Sequence, residues 1–185
     1  ERLAEQVENA EKMSSLLGFE GVAAEIYFGQ FGSLLNGSLN FSFQNRNKRP
    51  PKDPVNSVLS YLYGILAKEL FVTVLAAGFD PYLGFYHQPR YGRPALALDL
   101  LEEFRAPIVD SLVASLVSHQ QLTPADFETD PQNGGVYLSV PGWRIFARHF
   151  TQKLESQVWI KKYDRRLSYQ KIFEVQARQL AHLIE

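Results

Sequence analysis

The sequence predicts an all-α fold for its 185 residues. Apolar side chains recur every three or four residues in several long segments, which is typical of amphipathic helices. Residue types that begin and end helices stand at the ends of these segments. Only 136–138, after the turn signal at 133–135, is typical of a strand. Because a chain of this length can bury one sizeable core, we expect a single α-helical domain over residues 1–185.

The first third of the chain predicts two helices and an irregular segment. Apolar residues at helical spacing indicate a helix up to about residue 17, which we expect Gly18 to break. A second helix is predicted over 20–34, with the polar and glycine residues 36–38 ending it. The segment 40–54 contains three prolines, which exclude a helix interior.

The central helix is predicted over 54–77. Asp53 is a favourable N-cap residue, Pro54 suits the first helical position, and Gly78 is typical of a helix end. The mostly apolar composition indicates a buried helix. We expect no apolar run to approach the roughly 20 residues needed to span a bilayer.

The second half predicts a loop followed by further helices. The loop covers 80–94, and a helix then runs from 94 to about 119 with a kink at Pro107. Two more helices are predicted over 143–158 and 168–184. Aromatic side chains of the helices are expected in the core, namely Tyr61, Tyr63, Phe71, Trp143 and Phe146.

The amino-acid composition excludes several classes of protein. Hydrophobic residues make up 45% of the chain, which is typical of a globular protein. The absence of cysteine excludes disulfides and thiolate metal sites, and with no secretion signal near the first residues it predicts a cytoplasmic protein. The net charge of −1 argues against a general nucleic-acid binder, but basic residues cluster locally. These clusters fit a DNA channel and an ordinary surface equally well.

One histidine and two acids form a candidate site. His87 lies in a turn-rich loop, and Asp99 and Glu102 stand three residues apart on the following helix, hence on one face. Imidazole and carboxylate groups are ligands for a divalent metal that acts on phosphate esters. Asp99 interrupts an apolar run, so it is either paired or a ligand. Spacing alone leaves open an exposed acidic face that pairs with arginines.

A third ligand cannot be chosen from spacing. Glu20 at a helix start is a candidate, but spacing does not distinguish it from Glu25 or Glu69. Arginines near the site favour a polyanionic substrate, because guanidinium groups bind phosphates. These arginines are Arg90, Arg93 and Arg105.

Four motifs in order give the chain a family resemblance. They are GFEGVAA at 18–24, RNKRPPKDPVN at 46–56, GFDPYLGFYH at 78–87 and LDLLEEFR at 98–105. Together they resemble the catalytic domain of the CRISPR-associated adaptation integrases, the Cas1 family. The resemblance implies an α-helical catalytic domain that follows a small β-rich N-terminal domain in the family. The sequence begins near the helix that carries Glu20, so we expect that β-rich domain to be absent.

The resemblance also implies roles for the candidate residues. Glu20, His87 and Glu102 would hold the metal, and Asp99 would be a catalytic neighbour. The metal would be Mg²⁺ or Mn²⁺, as a mixed nitrogen and oxygen ligand set allows. The implied reaction joins the 3′-hydroxyl ends of a short DNA duplex to the repeats of a CRISPR array by transesterification. From charge and position we expect these residues to bind DNA: Arg46, Lys48, Arg49, Arg90, Arg93 and Arg105.

The implied partners are double-stranded DNA, as prespacer and CRISPR repeat, and a Cas2 protein. A homodimer within a larger integration complex is expected, with a fused reverse transcriptase as one option and no membrane partner. Two alternatives remain open. One is a metal-dependent nuclease that only hydrolyses DNA, and the other is a non-catalytic DNA-binding scaffold.

Overall fold

The computed structural model describes residues 2–10, 12–35 and 41–184. Within these ranges the chain is mostly helical, and the predicted all-α class is confirmed. The fold also contains two short antiparallel hairpins. Strand β1 (Phe127–Thr129) pairs with β2 (Val136–Leu138), and β3 (Gln157–Ile160) pairs with β4 (Arg165–Ser168). The helices are α1 (Arg2–Glu8), α2 (Met13–Phe31), α3 (Pro54–Ala76), α4 (Ala95–Phe104), α5 (Ser111–Ser118), α6 (Val140–Glu155) and α7 (Tyr169–Ile184).

Helix α3 is the centre of the core and has the predicted ends. The Asp53 carboxylate accepts a hydrogen bond of 2.8 Å from the backbone N–H of Asn56, and Gly78 follows the helix with a φ of +89°. Helices α4, α5 and α7 pack against α3. One fully buried stripe runs along it, comprising Val55, Leu59, Leu62, Leu66, Leu70 and Val74.

Helix α3 is also long and apolar enough to cross a membrane by length and composition, with a mean hydropathy of 1.6. The expectation that no segment reaches this level is therefore wrong. Length and composition are a weak indication of a membrane span, because the core helix of a globular domain meets the same criteria. The buried stripe accounts for the apolar composition of α3.

A wide helical turn joins α4 to α5. Residues Arg105–Asp110 form a π-helical turn at the predicted kink. Pro107 has no N–H to donate and its ring disturbs the preceding turn, which favours a local change of helix type. The turn leaves Asp110 only 6% exposed and close to Tyr27 and Tyr63.

The first helix boundary differs from the prediction. Helix α2 continues through Gly18, and the interruption lies after Glu8 instead. The amide side chain of Asn9 donates to the carbonyl of Glu5 at 2.7 Å and so satisfies the end of α1. A glycine costs a helix only about 1 kcal/mol relative to alanine, which the rest of α2 can offset. The predicted end at 36–38 lies outside the described residues.

The region between α6 and α7 was predicted to be helical as far as residue 158 and is a hairpin from 157 onward. Helix α6 begins at Val140, because the Ser139 side chain caps it, and ends at Glu155. In the hairpin Val158 and Leu167 pack against the core, while Trp159, the next residue of β3, is exposed. Strand β1 was also missed. Strands of three or four residues are too short to show a clear alternation of apolar and polar side chains.

The predicted core aromatics divide into two groups. Phe146 is fully buried, and Tyr63 and Phe71 are half-buried against the core. Tyr61 is 37% exposed and Trp143 47% exposed, so their assignment to the core is wrong. Both line an open cavity because the face of α3 that carries Tyr61 is only partly covered by α6.

A buried asparagine organises the irregular segment 41–53. The Asn56 side chain is fully buried and donates to the carbonyl of Asn45 at 2.9 Å and to Asp53. Its oxygen accepts from the backbone N–H of Asn47 at 3.0 Å and from the Arg46 guanidinium at 2.8 Å. The segment has no helix or strand of its own, so these bonds set its conformation.

Replacing Asn56 should therefore destabilise the fold. Asn56→Ala leaves several polar groups of the segment without partners, and we expect the free energy of unfolding to fall by about 3 kcal/mol. Urea denaturation measures this. Gln170→Ala, an exposed amide on α7, is the control and should change stability by less than about 0.5 kcal/mol. Equal stability of the two variants would contradict the role given to Asn56.

Candidate active site

Asp99 folds the loop after α3 onto α4. One carboxylate oxygen accepts from the backbone N–H groups of Phe85 at 2.6 Å and Tyr86 at 3.0 Å. The other oxygen accepts from the backbone N–H of His87 at 2.8 Å. Three consecutive backbone groups are thus tied to one side chain of α4, which fixes the position of His87.

The close approach of the loop to α4 depends on Gly84. A Cβ atom at this position would stand 2.7 Å from the Cβ of Ala95 and 2.9 Å from an oxygen of Asp99. A larger residue would push the loop away from the helix. The glycine therefore allows the bonds that hold His87.

Asp99 also orients the imidazole ring. Nδ1 of His87 lies 2.8 Å from Asp99 Oδ1, and both side chains are almost buried, with 11% and 12% of their surface exposed. When Nδ1–H donates to the carboxylate, Nε2 keeps a free lone pair. A carboxylate offers about four acceptor positions, and here three amides and the ring use them. Asp99 is thus arranged to position His87 rather than to bind a ligand itself.

Arg105 holds the two glutamates of the site together. Its guanidinium lies 3.0 and 2.9 Å from the two oxygens of Glu102, and 3.9 Å from one oxygen of Glu20. The other oxygen of Glu20 accepts from the Tyr86 hydroxyl at 2.6 Å. Because Tyr86 precedes His87, this bond ties α2 to the histidine loop. Three separate elements meet at this point.

A buried polar network supports Arg105. The guanidinium lies 4.8 Å from the centre of the Tyr63 ring, and the Tyr63 and Tyr27 hydroxyls donate to Asp110 at 2.6 and 2.9 Å. Burial and the adjacent Asp110 raise the pKa of both tyrosines, so they stay neutral donors. Burial opposes the charge of Arg105, but Glu102 and Tyr63 together outweigh it and raise the pKa of the guanidinium.

Within the described ranges, no three imidazole or carboxylate groups are already close enough to hold a metal ion. The donor set itself, one imidazole nitrogen and two carboxylates, suits a divalent cation. The two glutamates carry two negative charges that Arg105 offsets only in part, so the residues present fit such a cation if Arg105 withdraws.

His87 and Glu102 line a common cavity of about 320 Å³, and Glu20 and Glu102 line an adjoining one. The first cavity is bordered by many cations, which favours a polyanionic ligand. Burial and the neighbouring Arg46 lower the pKa of the Lys48 ammonium. Arg90 is exposed and lies outside this lining. The lining cations are Arg46, Lys48, Arg49, Arg93 and Arg105.

A family model described as CRISPR associated protein Cas1 matches residues 1–152. The chain belongs to the Cas1 family. The protein of Thermus thermophilus described as CRISPR-associated endonuclease Cas1 3 is 43% identical over 188 residues, which cover 100% of this chain and 55% of that protein. The chain thus spans about half the length of this Cas1 relative.

Solved structures support the same family. A casposase bound to an integration product has a TM-score of 0.87 and 27% identity, covering 98% of this chain and 50% of the casposase. A Cas6-RT-Cas1–Cas2 complex contains a chain with a TM-score of 0.83 and 32% identity, covering 97% of this chain and 19% of that one.

The structure links the four predicted site residues only through intermediates: Asp99 contacts His87, Tyr86 contacts Glu20, and Arg105 lies between Glu20 and Glu102. Tyr86 and Asp110 were not singled out, although each carried a signal. Tyr86 adjoins the candidate histidine, and Asp110 interrupts an apolar helical run just as Asp99 does. Arg105, expected at a phosphate, pairs with Glu102 instead.

Removing the Asp99 carboxylate should loosen the histidine loop. In Asp99→Ala the N–H groups of residues 85–87 lose their acceptor, and we expect their amide hydrogen exchange to accelerate by at least about tenfold. Exchange followed by mass spectrometry measures this. In the control Asp80→Ala, the lost carboxylate accepts from Tyr82 instead, so residues 85–87 should keep their protection. Unchanged exchange in Asp99→Ala would refute the positioning role.

Proposed function

We propose that this chain is the catalytic domain of a metal-dependent DNA integrase that inserts short DNA fragments into a CRISPR array. The observation that carries the proposal is the position of His87, whose Nδ1 contacts Asp99 and which lines a cation-rich cavity together with Glu102. The likeness to a casposase bound to an integration product supports the same reaction class.

In this proposal Glu20, His87 and Glu102 hold Mg²⁺ or Mn²⁺. When bound, the cation offsets negative charge at the phosphorus and polarises the attacking hydroxyl. Neutral imidazole with two carboxylates suits Mn²⁺ and also admits Mg²⁺.

The reaction exchanges one phosphodiester bond for another. The 3′-hydroxyl oxygen of the incoming DNA attacks phosphorus and gives its proton to solvent. The bond to the leaving 3′-oxygen breaks, and that oxygen takes up a proton from solvent. Asp99 keeps the His87 ring in one orientation throughout, and the Tyr86 hydroxyl orients Glu20. Arg105, once released from Glu102, is available to a phosphate oxygen.

The basic residues around the cavity bind the DNA backbone in this proposal. Lys48, Arg49 and Arg93 line the cavity and contact DNA phosphates in this proposal, and the exposed Arg90 extends the basic surface outward. Arg46 contributes charge while its guanidinium also bonds to Asn56 and Ser60.

The partners follow from the family. Residues 1–185 act as one catalytic domain in the cytoplasm, on double-stranded DNA from prespacer and repeat, as a homodimer within a larger complex with a Cas2 protein. The Cas6-RT-Cas1–Cas2 complex supports a Cas2 partner and a fused reverse transcriptase as one arrangement.

A hydrolytic nuclease is the second candidate, because the Thermus relative is described as an endonuclease. Water would then replace the 3′-hydroxyl at the same ligands. Branched DNA carrying a free 3′-hydroxyl separates the two, since an integrase returns rejoined strands and a hydrolase returns cut strands only.

His87→Ala should abolish strand joining with Mn²⁺ while circular dichroism stays unchanged, because the substitution removes the imidazole ligand from a loop outside the core. Joining of labelled branched DNA measures the effect. The control His119→Ala alters an exposed histidine after α5 and should retain full activity. Undiminished strand joining by His87→Ala would contradict the assignment of His87 as a metal ligand.

Mn²⁺ should bind to the free protein, and calorimetric titration should show it. We expect Glu20→Ala to weaken binding by at least about tenfold, since one carboxylate ligand is lost. Glu25→Ala removes an exposed carboxylate from the same helix and should bind as the unaltered protein does. If neither variant nor the unaltered protein binds Mn²⁺, the non-catalytic scaffold is the correct reading.

A further inference from the structure

The β3–β4 hairpin has one face against the core and one face open to solvent. Val158, Ile160 and Leu167 pack against the core. Because successive side chains of a strand point to opposite faces, the residues that alternate with these point outward. One outward pair is Trp159 opposite Arg166, with the tryptophan 57% exposed and the arginine also exposed. The core therefore anchors the hairpin while its outer face stays open.

The hairpin carries an excess of positive charge. Residues 157–168 contain four cations and one acid, and the cations are Lys161, Lys162, Arg165 and Arg166. All four are exposed, and within the described residues none of them forms an ion pair. The acid of the adjoining helix α7, Glu174, is already paired with Lys171 at 2.6 Å. Cations grouped on one surface repel each other, and a bound polyanion relieves this repulsion.

The turn of the hairpin holds two of these cations on one aromatic ring. A short 3₁₀ turn over Lys161–Tyr163 precedes Asp164, whose φ of +50° is left-handed. The Lys162 ammonium and the Arg165 guanidinium lie 5.7 and 5.9 Å from the centre of the Tyr163 ring. Such contacts restrict long side chains that would otherwise rotate freely. The two cations are therefore positioned before a ligand binds, which lowers the entropic cost of binding.

The hairpin is separate from the candidate active site. None of residues 157–168, all of which the structure describes, lines the cavities bordered by His87, Glu20 or Glu102. The family model ends at residue 152, so the match assigns no role to the hairpin. Neither the candidate catalytic residues nor the packing of the core accounts for its four unpaired cations.

The composition of the outer face favours a nucleic acid over a protein as partner. The centre of a protein–protein interface is apolar and depleted in charged residues. On this hairpin Trp159 is the one large apolar side chain that is exposed, beside four exposed cations. Protein–DNA interfaces are more polar and much more positively charged than protein–protein interfaces.

The arrangement of the rings favours a double helix over a single strand. Single strands are bound by aromatic faces on which successive bases stack. Tyr163 is half-buried with two cations near its ring, so Trp159 is the one ring of the hairpin open for stacking. Cations without a row of open rings suit the phosphates of a duplex, because phosphate contacts need no unpaired base.

We propose that the β3–β4 hairpin binds the phosphate backbone of double-stranded DNA outside the candidate active site. The four cations contact phosphates, and the Trp159 ring packs against the adjoining sugars. Two separate contacts fix the orientation of a duplex, so the hairpin aligns the DNA that enters the site. The proposal rests on the proposed function, because that duplex is the substrate of the site.

Binding of a fluorescently labelled DNA duplex, followed by anisotropy in the presence of a chelator, tests the proposal. The double variant Arg165→Ala and Arg166→Ala should raise the dissociation constant by about tenfold and reduce the slope of its salt dependence by about two, because two phosphate contacts are lost. Lys161→Ala with Lys162→Ala should act likewise. The matched control is Lys171→Ala with Arg178→Ala, which removes the same charge from α7, where Glu174 pairs with both cations. It should bind as the unaltered protein does.

An oligothymidylate of the same length is the second probe, and circular dichroism confirms that the variants are folded. Trp159→Ala should weaken oligothymidylate binding no more than duplex binding, because no base stacks on the ring. A larger loss for the single strand would overturn the proposal in favour of a stacking site. Unchanged duplex affinity and salt slope in both hairpin variants would overturn it in favour of a protein partner, and an equal loss in the control would reduce it to a general effect of charge.

Strand joining on branched DNA separates this proposal from the proposed function. Failure of joining by the unaltered protein, with duplex binding that still depends on the hairpin cations, would refute the integrase function and leave the DNA contact standing. Normal joining with duplex binding that is independent of these cations would refute the hairpin contact alone.

Discussion

The hydrogen bonds of the Asp99 carboxylate are the constraint on which the site depends. They tie three consecutive N–H groups and the His87 ring to α4, so the histidine loop moves only with that helix. Glu102 lies three residues further along α4 and faces the same side. One helix therefore sets both the imidazole and a carboxylate, and the Tyr86 hydroxyl links the histidine loop to Glu20 on α2.

Charge balance is the second requirement, because Glu20 and Glu102 repel each other when brought together. Arg105 offsets this repulsion, and the Tyr63 ring and Asp110 hold its guanidinium in place. An unpaired carboxylate in a half-buried site would be costly. Arg105 thus lies between the two glutamates, and in the proposed function a divalent ion competes with it for Glu102.

Local signals predicted much of this arrangement. The ends of α3 follow from Asp53, Pro54 and Gly78, and Asp99 could be identified as a paired carboxylate because it interrupts an apolar run. The pairing of Glu102 with Arg105 is a local contact between residues three apart, and it matches the alternative of an acidic face paired with arginines. The exposure of Trp143 could not be predicted, since it depends on how distant elements pack. The continuation of α2 through Gly18 and the hairpin at 157–168 were missed because weak local preferences were overruled by tertiary contacts.

The irregular segment 41–53 borders two cavities, the one that contains His87 and the open one lined by Tyr61 and Trp143. It has no helix or strand of its own, and the buried Asn56 side chain sets its conformation while Lys48 and Arg49 project from it into the two spaces. Lys48 stands close enough to Arg46 and Arg105 that their charges help to lower its pKa. Cations held together against their mutual repulsion store free energy that bound phosphates release. In the proposed function the buried Asn56 side chain therefore serves DNA binding as well as stability, because it keeps these cations in place before DNA binds.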